Sequence, residues 1–263
     1  MRHKERRNIV TTYFNKGIES LKNDGFIILL RKIKFFVLNR LRRKDNFHFV
    51  KEYETYVKNL IKAYPIDEAM SIAVGGDYEK MGHVEKEILM NYGLKPNMSL
   101  IDYGCGSGRL AQALPAEYNI NYLGVDIVEQ LLQYAKIKSK PNYRFIRHRK
   151  LSVPAESESA DMICAFSLFT HLLHEETYIY MEDMKRVLKK GGKLVFSFLE
   201  LGNSGHWPVF MDATEGRRKN TASVFTAFIE RSVIEMWAKK LGWKIVEIKS
   251  GGTGQSLAVI EKE

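Results

Sequence analysis

Two cysteines in 263 residues leave nothing from which to build a disulfide framework. Cys105 sits in a glycine-rich loop, where it reads as a small filler or a nucleophile, and Cys164 lies in an apolar run. No Cys/His spacing matches a zinc site, so no metal is expected. No apolar run approaches the roughly 20 residues that span a bilayer. The first apolar stretch begins only near Phe26 and is cut by Arg31, Lys32 and Lys34, which argues against a secretion signal. These absences together point to a reducing, cytoplasmic setting.

Hydrophobic residues at 45% and charged residues at 27% suit one full α/β domain plus an appendage. The net charge of +10 has a location. Residues 1–51 hold 14 Lys and Arg against 4 Asp and Glu, a surplus equal to that of the whole chain. The rest is balanced, so its general surface gives no reason to bind a polyanion. Within the basic part, Phe26, Leu29, Leu30, Ile33, Phe36, Val37 and Leu41 recur at helical spacing among lysines and arginines. A basic amphipathic helix over 26–44 fits an anionic membrane surface. Packing on the domain, pairing with a second copy and nucleic acid are the other readings, although no nucleic-acid motif accompanies the charge. The expected division is a helical extension over 1–70 and a catalytic domain over 71–263.

The organising stretch is Leu100-Ile101-Asp102-Tyr103-Gly104-Cys105-Gly106-Ser107-Gly108-Arg109-Leu110. An apolar entry, three glycines at alternate positions and a helical pattern from Leu110 read as strand, tight turn and helix start. Glycine at 104, 106 and 108 lets a ligand approach the main chain, behind which helix N–H groups point outward. A dinucleotide fingerprint is G-x-G-x-x-G, whereas this is G-x-G-x-G with an acid two residues ahead. A carboxylate there repels pyrophosphate and suits a cationic ligand. The stretch resembles motif I of the class I S-adenosylmethionine-dependent methyltransferases. That resemblance implies that Asp102, Gly104, Cys105, Gly106 and Gly108 hold the amino-acid end of that cofactor.

Asp126 closes a second strand, Asn121-Tyr122-Leu123-Gly124-Val125-Asp126, 18 residues after Gly108. Neighbouring parallel strands set such an acid across the crevice from the glycine turn. There it can accept both ribose hydroxyls, or cap the helix that follows. Ile127 would then lie against the adenine. The resemblance leads one to expect an acid where Arg149 stands. Its absence leaves adenine to main chain around Lys150 and Leu151. The apolar run Ala160–Phe166 is a fourth strand, ending in Ser167-Leu168-Phe169-Thr170-His171-Leu172, a turn similar to one in many small-molecule methyltransferases of this family. Phe166 reaches the cofactor side. His171 is either a general base or a histidine that holds the loop through a carbonyl.

Upstream, Tyr78 and His83 fall in a Gly-bounded loop over 74–83 that either caps the pocket or packs on itself. Downstream, a helix over 175–190 closes at Gly191-Gly192 before a strand over 193–198. A long polar connection over 200–224 contributes His206, Arg217 and Arg218, which either hold substrate or are solvated. A hairpin over 243–260 ends the sheet.

The expected fold is a Rossmann-like, seven-stranded α/β sheet, mostly parallel with an antiparallel last strand, plus the N-terminal helical extension. The expected function is S-adenosylmethionine-dependent O-methylation of a small molecule or saccharide, including a lipid-linked glycan or sugar phosphate, at the inner face of a membrane. The rivals are an NAD(P)-binding Rossmann oxidoreductase and a cofactor-binding scaffold for a membrane-associated enzyme.

Overall fold

The computed structural model describes residues 47–221, 224–251 and 254–263, so the helix expected over 26–44 lies outside the described residues. Strands appear where apolar residues cluster, and the sequence is most continuously apolar at the centre of the sheet. They are β1 (Ser99–Tyr103), β2 (Asn121–Asp126), β3 (Arg144–Arg147), β4 (Ala160–Ala165), β5 (Leu188–Phe198), β6 (Trp243–Ser250) and β7 (Ser256–Lys262). They form one seven-stranded sheet in the order β3-β2-β1-β4-β5-β7-β6. Neighbours from β3 to β5 pair parallel, and β7 runs antiparallel to both β5 and β6. This is the Rossmann-like sheet the motif order implied.

Alternate residues enter two separate cores. Ile101, Leu123, Ile163, Leu194 and Ile260 pack into one. Leu100, Tyr122, Met162, Val195 and Val259 pack into the other. A sheet buried on both faces needs both sets apolar, hence the unbroken runs.

The helices are α1 (His48–Ala63), α2 (Ile66–Ile72), α3 (Tyr78–Asn91), α4 (Arg109–Ala113), α5 (Glu129–Lys138), α6 (His174–Val187), α7 (Trp207–Arg218) and α8 (Arg231–Leu241). Tyr180 and Met184 of α6 and Ile234 of α8 cover the first core. Leu89 of α3 and Leu110 of α4 cover the second. α1 puts Phe49 and Val50 into the first core, while its Val57 and Leu60 join Met70 of α2 and Leu131 of α5 in a third cluster. Burying a side chain of that size stabilises the fold by roughly 2 kcal/mol. Pro65, which has no N–H, separates α1 from α2.

Four elements differ from the expected pattern. α6 stops at Val187, three residues early, because Leu188 turns extended and buries. Gly191-Gly192 therefore lies inside β5, where the register with β4 slips. α3 begins at Tyr78, inside the stretch expected as a loop over 74–83, launched by Asp77 in the left-handed region at φ 44°. α4 is cut short at Ala113, just before Pro115. The 200–224 stretch is no open loop: it holds α7, with a proline in its first turn and Phe210 seated on Phe228 at 5.5 Å.

Candidate functional site

The strand order reverses beside β1: the chain runs outward to β2 and β3, then returns to β4 on the other side. That switch point opens a crevice above the strand tips, the place where open α/β sheets bind ligands. The loop leaving β1 is built to leave it clear. Gly104 and Gly106 take φ of +82° and +54°, and a Cβ on Gly106 would come within 2.5 Å of Val74 Cγ1. The loop is tied down by its own N–H groups: Gly104 and Cys105 donate to the Val125 carbonyl at 2.7 and 3.1 Å. Gly108 lies behind the crevice instead of in its wall. It caps α4 at φ +87° and lets α5 approach, since a Cβ there would meet Ala135 Cβ at 2.7 Å. Burial pushes the Cys105 thiol well above its usual range, so it is no nucleophile and fills the loop.

Two aspartates stand at the tips of adjacent strands. Asp102 is buried and accepts the Tyr122 hydroxyl on Oδ2 at 2.6 Å and the Cys164 thiol on Oδ1 at 3.6 Å. Burial raises its carboxyl to about 7, against the pull of those two donors. The fold thus compensates its charge only in part. Asp126 accepts Gly106 N–H on Oδ2 and Val128 N–H on Oδ1, both at 2.9 Å. The second bond is the helix-entry role read as its alternative. The first ties its carboxylate to the glycine loop across the crevice.

A cavity of about 310 Å³ fills this crevice. Of the residues expected at the cofactor, Asp102, Gly104, Cys105, Gly106, Asp126, Ile127 and Phe166 line it, and so does His171. His171 Nδ1 lies 2.8 Å from the Phe225 carbonyl, so it is the protonated nitrogen. Nε2 carries the lone pair and has no hydrogen-bond partner among the described residues. Burial lowers the ring's pKa and keeps it neutral. The carbonyl bond and the base-competent tautomer are therefore two aspects of one arrangement.

Other expected residues lie elsewhere. Tyr78 braces the glycine loop from behind, donating to the Ser107 carbonyl at 2.8 Å. Lys150 is exposed, and its carbonyl turns inward to the Tyr180 hydroxyl at 3.1 Å. Leu151 packs on the first core. His83 is exposed on α3. His206 is buried, with Nδ1 accepting the Glu200 N–H at 3.1 Å. Arg217 and Arg218 point to solvent from the last turn of α7, and Arg218 pairs with Glu215 at 3.2 Å. None of these seven lines the cavity.

Residues not singled out in the sequence complete the walls. Phe49, Tyr53 and Tyr56 of α1 form one side, at the spacing of a helical stripe. The Tyr53 ring meets His171 edge to face at 5.1 Å. Arg109 and Glu85 form a buried ion pair at the floor, and Arg109 also donates to the Val74 carbonyl. At the β3 tip, where an acid was expected, Arg149 is held by Glu54 of α1, which Arg147 also reaches at 2.6 Å.

Residues 101–196, from β1 through β5, match the family model described as a methyltransferase domain. Cyclopropane mycolic acid synthase 3 of Mycobacterium tuberculosis is 23% identical over 176 residues, covering 60% of this chain and 58% of that protein. A ubiquinone biosynthesis O-methyltransferase of Hydrogenovibrio crunogenus is 26% identical over 129 residues, 47% of this chain and 52% of that protein. The chain thus spans little more than half the length of these relatives. Among solved structures, magnesium protoporphyrin IX methyltransferase from Synechocystis PCC 6803 with bound SAH superposes with a TM-score of 0.54 at 17% identity, over 71% of this chain and 86% of that one. A SAM-dependent methyltransferase from Aquifex aeolicus gives 0.53 at 16%, over 79% and 98%. At such identities the structures establish the fold alone. The match that runs through the acid–glycine loop and Asp126 carries more: over residues 101–196 this chain carries a methyltransferase domain, and its resemblance is to the class I S-adenosylmethionine-dependent enzymes.

Proposed function

We propose that this protein methylates a hydroxyl oxygen of a small molecule or saccharide, with His171 as general base. The observation that supports it most is the His171 tautomer. Nδ1–H is committed to the Phe225 carbonyl, and the basic Nε2 belongs to a residue lining the same cavity as Asp102 and Asp126.

The crevice fits the family's cofactor. Gly104 and Gly106 leave the backbone bare, Asp102 suits an ammonium group and Asp126 suits ribose hydroxyls. When bound, S-adenosylmethionine supplies a methyl carbon made electrophilic by its sulfonium sulfur. The chain's own part is positioning, exclusion of water by the aromatic wall of α1, and removal of one proton to Nε2. Asp102 next to the loop is also what sets this crevice against a dinucleotide.

Incubation with methyl-labelled cofactor and an extract of cell-envelope precursors is expected to label an extractable product. His171→Gln should slow transfer about 10²-fold or more, with affinity for S-adenosylhomocysteine held within about twofold if the residue serves chemistry alone. Transfer undiminished in that variant removes the base from the reading. Because His171 is held neutral by burial, the wild-type rate should persist below the ordinary histidine range and fall only at lower pH.

The reading extends to the inner face of a membrane through the basic amphipathic helix expected from the sequence over 26–44. The contact proposed is peripheral, and among the described residues no helix is long and apolar enough to cross a bilayer. Co-sedimentation with anionic vesicles, lost on removing residues 1–45, is the expected result, and equal recovery of both forms would sink this part.

A further inference from the structure

The tips of β4, β5 and β7 carry a polar assembly separate from the glycine loop and the two aspartates. Ser167 N–H donates to Ser197 Oγ at 2.7 Å, the Ser197 hydroxyl donates to Gln255 Oε1 at 2.7 Å, and Gln255 Nε2 donates to Ser167 Oγ at 3.0 Å. The ring is closed, and it joins three strands from positions up to 88 residues apart. Ser197 is buried at 1% exposure and anchors it. Ser167 and Gln255 both line the cavity.

Two features show that this ring is more than a structural tie. Ser167 sits in the left-handed region at φ 55°, where glycine is the unstrained choice, so its hydroxyl is retained at a conformational cost. Moreover, the ring leaves donors over. The Ser167 O–H and the second Gln255 N–H have no partner among the described residues. Both belong to residues in the wall that also holds His171. A cavity wall with two spare donors calls for an oxygen that accepts them.

The rest of the lining narrows the ligand. Among the described residues, Arg109 is the only Lys or Arg in the wall, and Glu85 neutralises it. The carboxylates of Asp102 and Asp126 stand at the glycine loop. Much of the remaining cavity lining is apolar or aromatic, including Tyr53, Phe166, Leu172 and Val224.

We propose that Ser167 and Gln255 form the acceptor subsite, gripping one oxygen of a neutral molecule that carries a second oxygen beside it for His171 to deprotonate. Vicinal hydroxyls on an apolar or ring-shaped body are the matching chemistry. This rests on the methyltransferase reading and adds the groups that choose the acceptor.

The test uses the full chain saturated with S-adenosylhomocysteine and three probes of similar size: catechol, benzoate and benzylammonium. Calorimetry or ligand-observed NMR should give catechol binding at least tenfold tighter than either charged probe. Ser167→Gly, which suits the backbone there, and Gln255→Leu should each weaken catechol at least fivefold while the nucleoside binds as before. Catechol binding that is absent, or unchanged in both variants, overturns the proposal, and so does preference for a charged probe. Loss of the nucleoside in the variants overturns it too, by assigning the ring to the cofactor loop. If the wild-type protein fails to bind the nucleoside at all, the methyltransferase reading itself falls, before any probe is added.

Discussion

Tyr122 gives its hydroxyl proton to Asp102 Oδ2 at 2.6 Å, from the next strand and within the same buried layer. The contact steadies a carboxyl that burial holds at about 7. An unfolded carboxyl titrates near 3.9, about three units lower. The folded state therefore holds this proton more tightly, and stability falls as pH rises from about 4 to about 7. Asp102→Asn removes that loss. The variant should melt higher than wild type above pH 7, by about 3 °C or more, and lack this part of the pH slope. It should also bind S-adenosylhomocysteine at least tenfold more weakly. In the wild type the same affinity should drop as pH falls below 7, because the protonated carboxyl no longer complements an ammonium group. A Tm unchanged in the variant across pH 5–8, read by calorimetry, would contradict this account.

The Glu85–Arg109 pair invites a second measurement. Both side chains are at most one-tenth exposed, and burial holds the Glu85 carboxyl above its ordinary range despite the guanidinium beside it. Removing one partner strands the other. Arg109→Leu should cost roughly 3–5 kcal/mol in urea unfolding. The double change Glu85→Leu with Arg109→Leu should recover most of that loss, since no charge is then left unpaired. Additive losses would show that the pair acts through the shape of α3 and α4 and not through charge.

Glycines near the loop should differ sharply from one another. Gly75 takes φ +91° with nothing within 4 Å of the place a Cβ would occupy, so Gly75→Ala meets backbone strain alone, about 1 kcal/mol. Gly108 has the same kind of φ, +87°, but its Cβ would strike Ala135 of α5. Overpacking adds roughly 1–3 kcal/mol to the strain. Gly108→Ala should therefore be the more damaging, and equal midpoints for the two variants would refute the packing role.

How much of this was legible beforehand follows from the range of each signal. Strand, glycine turn and acid are local patterns, so β1, β2, the loop, Asp102 and Asp126 could be read directly. The Gly191-Gly192 pair misled because a helix stop and a strand irregularity use the same residues. α7 was hidden by polar composition, as its aromatic Phe210 finds its partner Phe228 only after folding. The cavity wall was the least accessible. Arg109 and Glu85 are 24 residues apart, and Ser167 and Gln255 are 88 apart. Packing of α3 on α4 brings the first pair together, and the sheet order the second. His206, Arg217 and Arg218 attracted attention by residue type, which carries no information about direction.

The aromatic flank of α1 has a consequence for inheritance of function. Phe49, Tyr53 and Tyr56 precede the segment shared with the methyltransferase domain family, and Gln255 follows it. Ser167 thus lies inside the shared strip, while Gln255 and the aromatic flank lie outside it, where they are free to drift toward new clients. Kinship across that strip alone therefore carries no promise of a common recipient.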